Sequence, residues 1–74
     1  MDSNFHSAYH NRGRAHAEKQ EYDQAIIDYN EAIRLKPNFA VAYINRGNAY
    51  QSQGKFNKAK ADFEKADELE KAGK

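Results

Sequence analysis

Shifted by 34 residues against itself, the chain is identical at 12 of 40 facing positions, and no other feature of the sequence limits its fold as strongly. The identical pairs are Asn4/Asn38, Phe5/Phe39, Ala8/Ala42, Tyr9/Tyr43, Asn11/Asn45, Arg12/Arg46, Gly13/Gly47, Ala15/Ala49, Ala25/Ala59, Asp28/Asp62, Ala32/Ala66 and Leu35/Leu69. Tyr22/Phe56, Tyr29/Phe63 and His16/Tyr50 add matches of ring to ring. The matches gather on small and aromatic residues, whereas charged positions drift. That is shared packing under a divergent surface, and a period of about 20–50 residues means stacked supersecondary units.

Each unit predicts two helices. Ala8, Tyr9, Arg12, Gly13 and His16 recur at steps of three and four over residues 6–19, which places them on one helix face. Gln20-Glu21 forms a short connection. Tyr22, Ala25, Ile26, Tyr29, Ala32 and Ile33 repeat the spacing over 22–35, and Asp23 stands where a cap or a first-turn acid is favoured. Pro37 lacks an N–H and biases Lys36 away from helix, so Lys36-Pro37-Asn38 is a break. Asn38 is expected to cap a third helix over 39–53, which Gly54 stops. Phe56, Ala59, Phe63, Ala66 and Leu69 mark a fourth over 56–71. Gly13 and Gly47 each cost about 1 kcal/mol inside a helix. Their common phase predicts close approach of the partner helix, with Tyr29 and Phe63 filling the space.

Composition fits thin helices rather than a broad core. Of the 29 hydrophobic residues 12 are Ala, and the bulk comes from five Tyr and four Phe. There is no Cys, so no disulfide and no thiolate metal site can add stability. Twelve basic residues against 11 acidic ones give a net charge of +1. That balance argues against nucleic acid, although Arg12, Arg14, Arg34 and Arg46 with nearby Tyr could form a small basic patch. No apolar run approaches the ~20 residues of a membrane span. Residues 1–20 are polar and carry three His, so no signal peptide is expected and the reading is cytoplasmic.

The spacing Tyr9-x-x-Arg12-Gly13-x-x-His16, then Ala25-x-x-x-Tyr29, Ala32 and Pro37, resembles a tetratricopeptide repeat. So does Tyr43-x-x-Arg46-Gly47-x-x-Tyr50, then Ala59-x-x-x-Phe63 and Ala66. Tyr replaces the family's favoured Trp, Arg12 and Arg46 its Leu, His16 its Tyr, and Lys71 its second Pro. The resemblance implies an all-α fold: two tandem helix–turn–helix repeats whose four antiparallel helices form a short right-handed solenoid. Residues 1–5 form a lead-in that echoes the inter-repeat connector. Residues 6–39 are the first repeat. Residues 40–73 are the second, with a polar capping last helix. Lys60, Ala61 and Asp67 stand there in place of Ile26, Ile27 and Ile33, the positions a following unit would cover.

The resemblance also implies a protein-interaction role, with first helices lining a groove for an extended peptide or a partner protein. The groove residues would be Ser7, His10, Asn11, Arg14, Val41, Ile44, Asn45, Asn48 and Ser52. An Asn amide both donates and accepts, so Asn11 and Asn45 can hold a peptide backbone; alternatively, both satisfy their own scaffold. A carboxylate clamp of the family's kind is not expected, because His10 and Arg14 stand where it uses Lys and Asn. The second reading is an engineered or structural scaffold that self-associates by repeat stacking or helix swapping, since two units fall below the ~3 usually needed for stability. No enzyme is expected. No Ser-His-acid arrangement can be read, and the glycines are too scattered for a phosphate loop. His6 and His10, four residues apart, can share a helix face, but no acid or Cys on that face completes a metal site, and no cofactor is expected.

Overall fold

The computed structural model describes residues 4–72, and its element order is α1 (Phe5–Glu18), α2 (Tyr22–Leu35), α3 (Ala40–Ser52) and α4 (Phe56–Ala72). The helices pair as two antiparallel hairpins, α1 with α2 and α3 with α4, and the hairpins stack through α2 and α3. The Cα envelope measures 35 × 27 × 15 Å. A helix with side chains is about 10–12 Å across, so the body is thin and its core is a seam between helices. That seam consists of Ala25, Ile26, Tyr29 and Ala49, with Ala17, Tyr22 and Tyr50 packed at its edge.

Both first helices end the same way. Glu21 and Lys55 donate their backbone N–H to the carbonyls of His16 and Tyr50, while Gln20 and Gly54 donate to those of Ala17 and Gln51. This paired pattern satisfies the last carbonyls and turns the chain sharply. It needs a left-handed residue, which Gly54 supplies at φ 80°. In the first hairpin the same place is taken by Gln20 at φ 65°, a conformation that glycine adopts more readily. At the start of α3 the expected cap is absent. Phe39, not Asn38, is the N-cap residue, and no side chain caps the helix. The preceding turn is closed by backbone, Phe39 N–H to Lys36 carbonyl at 3.0 Å.

The glycine register follows from ring packing. A Cβ on Gly13 would lie 2.7 Å from Tyr29 Cε1 and 3.1 Å from the Ala25 carbonyl oxygen. One on Gly47 would lie 2.7 Å from Phe63 Cε1. Both contacts are far inside van der Waals range, so the ring occupies the side chain's place. Two expected burials fail. Ile27 is 64% exposed, whereas its neighbour Ile26 packs into the seam with Ala49 of α3. Phe56 is also 64% exposed, whereas its counterpart Tyr22 packs at the edge of the core seam beside Ala49. Along α4, Lys71 and Asp67, four residues apart, pair at 3.1 Å.

Candidate functional site

Each hairpin is pinned by one ion pair. Arg12 donates from Nε to Asp28 Oδ2 at 2.9 Å and from Nη2 to Oδ1 at 2.7 Å. Arg46 donates to Asp62 through the same atoms at the same two distances. Asp28 and Asp62 are buried, so their charges need these partners. The fork-to-fork geometry fixes direction as well as distance. It also explains why Arg tolerates the position where the family favours Leu: its head reaches across the helix pair and neutralises a buried acid. Arg46 does more, since Nη1 reaches across the junction to Asn30 Oδ1 at 2.9 Å and its guanidinium lies 5.3 Å from the Tyr43 ring centre. Its hydrogen bonds to Asp62 hold its pKa above the ordinary arginine value.

A second link ties α1 to α3. The Asn45 amide donates from Nδ2 to His10 Nε2 at 2.7 Å. His10 is buried, its ring 5.1 Å from that of Phe39 and 5.8 Å from that of Tyr29. As an acceptor at Nε2 the imidazole is neutral and carries its proton on Nδ1. Burial lowers the His10 pKa, and the nearby Arg14 charge lowers it further. His6 lies edge-on to Phe39 at 5.1 Å. The bond to Asn45 thus commits His10 Nε2 to the scaffold. Among the described residues no group of three or more His, Cys, Asp or Glu is placed to hold a metal ion.

These links leave a cleft of about 230 Å³ where α1 and α3 meet over α2. Its floor is Ala17, Tyr22, Tyr29 and Ala49, and its rim is Arg14, Glu18, Asn45, Asn48 and Ser52. Four of the groove residues expected from sequence, Arg14, Asn45, Asn48 and Ser52, therefore come together. His10 lies beneath the rim through its bond to Asn45. Ser7, Asn11, Val41 and Ile44 do not line this cleft. Sequence reasoning missed the floor and Glu18. Tyr22 and Tyr29 belong to second helices, and only hairpin closure brings them beside the first helices. The signal available was the wide spread of apolar positions on α2, which exceeds what one neighbour can cover.

Two stacked helical hairpins, with a cleft across their first helices, define a helical-repeat fold. The chain belongs to the tetratricopeptide repeat family: the family described as TPR repeat matches residues 13–54, and that described as Tetratricopeptide repeat matches residues 40–70. A crystal structure of MamA superposes with a TM-score of 0.90 at 35% sequence identity, covering 93% of this chain. The chain spans 40% of the length of that MamA chain. No curated protein matches the sequence. Among the described residues no helix is long and apolar enough to cross a membrane. Tetratricopeptide repeats mediate protein–protein interaction, and the family is typically non-enzymatic.

Proposed function

We propose that this chain holds an extended protein segment in the cleft between α1 and α3. The carrying observation is the joining of Arg14 from one repeat with Asn45, Asn48 and Ser52 from the next over an apolar floor. The cleft volume decides what it can take. Ligand pockets for whole small molecules run about 300–1,000 Å³. A space of about 230 Å³ suits one or two side chains, with the flanking peptide backbone running along the rim. Ala17, Tyr22 and Ala49 favour an apolar anchor. Exposed Arg14 favours a carbonyl or carboxylate, and exposed Asn48 offers both a donor and an acceptor. Specific complexes usually bury ~800 Å² per partner, so this cleft alone supports a modest affinity and a short motif.

A peptide-display screen against the full chain tests this reading. Selected peptides should lose at least ~10-fold in affinity for Arg14→Ala and for Asn48→Ala, with melting curves close to the parent's. Asn45→Ala should lose binding and also melt lower, because it orphans the buried His10 nitrogen. Peptides that bind all three variants as tightly as the parent would refute the cleft as the binding surface.

A further inference from the structure

The two ends of the molecule carry the two halves of its own middle. At the junction between hairpins, α3 lies on α2 with Ala42 and Ala49 at 0% and 2% exposure. Their counterparts Ala8 and Ala15 on α1 are exposed. At that end Phe5, Ala8, Tyr9 and Arg12 line an open cleft of about 230 Å³. At the opposite end α4 offers a groove of about 380 Å³ that includes Phe56, Ala59, Phe63 and Glu64. Phe5 is 63% exposed and Phe56 64%, large rings that each face solvent.

Charge decides what fits. Within the junction, Arg46 spends Nε and Nη2 on Asp62 and gives Nη1 to Asn30. Arg12 spends the same two nitrogens on Asp28, and its side chain is 63% exposed against 20% for Arg46. The position 34 residues beyond Asn30 is Glu64, also exposed. An α1 laid on α4 in the junction's register would therefore bring Arg12 to a carboxylate where Arg46 meets only an amide, and a charge-assisted bond is the stronger one.

We propose that a second copy of this chain stacks end to end on the first, α1 of one on α4 of the other, with Arg12 paired to Glu64 across the contact. The contact is heterologous, so it does not close into a dimer and extends with concentration. Lys60 and Asp67 stand where α2 has Ile26 and Ile33. The stack is therefore less apolar than the internal junction and dissociates at low concentration and high salt. This surface is separate from the α1/α3 cleft and stands or falls independently of it.

Sedimentation equilibrium on three samples tests the stack. The parent's average mass should rise with concentration past that of a dimer. Ala8→Arg blocks the α1 end and Glu64→Arg blocks the α4 end. Both positions are exposed, and circular dichroism melts should match the parent's. Each variant alone should raise the dissociation constant at least ~10-fold and run as a monomer. An equimolar mixture of the two keeps one intact end of each kind and should stop at a dimer. A parent that stays monomeric at millimolar concentration overturns the proposal. So do single variants that associate like the parent, as helix swapping would allow, or a mixture that remains monomeric.

Discussion

Asp28 and Asp62 occupy the same phase of two successive repeats, accept the same two bonds from Arg12 and Arg46, and differ in what surrounds them. Arg46 is closed in by Tyr43, Tyr50 and Asn30, because its helix lies against the preceding hairpin. Arg12 faces solvent beside Tyr9, and Asp28 has a second nitrogen within reach, His16 Nε2 at 3.8 Å. One local design thus sits in two dielectric settings. Pairing is cheap to keep where water helps and expensive to break where water is excluded.

The harshest break of this equivalence should come at the glycines. Gly13→Leu and Gly47→Leu force a side chain into the place of the Tyr29 or Phe63 ring. Each should cost at least ~3 kcal/mol, enough to unfold its hairpin in a chain this small. Far-UV circular dichroism melting reads this directly, and a melt matching the parent's would show the register to be wrong.

Removing the arginines separates the two settings. Arg46→Met should cost about 2–3 kcal/mol, because buried Asp62 keeps its charge without a partner. Arg12→Met should cost less, since its own cover is thinner and His16 Nε2 lies 3.8 Å from Asp28. Urea titrations of both variants check the order, and equal losses would remove the distinction drawn between the repeats.

The link between repeats carries a pH signature. The native pKa of His10 lies below the ordinary histidine value because the ring is buried, so the unfolded chain binds that proton more tightly. Stability should be full above about pH 7 and fall as pH drops through the ordinary histidine range, levelling off below the native pKa. Melting temperatures measured between pH 7.5 and 5 should fall for the parent and fall less for His10→Gln. The smallest effect is at the turns, where Gln20→Gly should stabilise by about 0.5–1 kcal/mol by relieving its positive φ.

Helix number, order and most boundaries were legible because they rest on local chemistry. Pro37 and Gly54 break the chain, and three-four spacing fills the intervals between breaks. The Gly13–Tyr29 contact was legible because it occurs twice in phase. The Arg–Asp pairs were not read, although both partners are among the repeated identities. Their contact depends on how two antiparallel helices register, and the drift of the other charges masked it. The bond from Asn45 to His10 joins residues 35 apart and depends on the stacking angle of the hairpins. Exposure of Ile27 and Phe56 escaped for a related reason: periodicity gives the width of an apolar face but not how much of it a neighbour covers. Within the cleft, Arg14, Asn48 and Ser52 followed from the family resemblance, whereas Tyr22 and Tyr29 required the fold.

The central functional claim is that the rim and floor shared by the two repeats receive a partner segment. A ¹⁵N-correlated NMR titration of the full chain with a display-selected peptide tests it most directly. The amide shifts should concentrate at Arg14, Tyr22, Asn48 and Ser52, with little change along α4. Shifts centred instead on Lys60, Glu64 and Asp67 would contradict it.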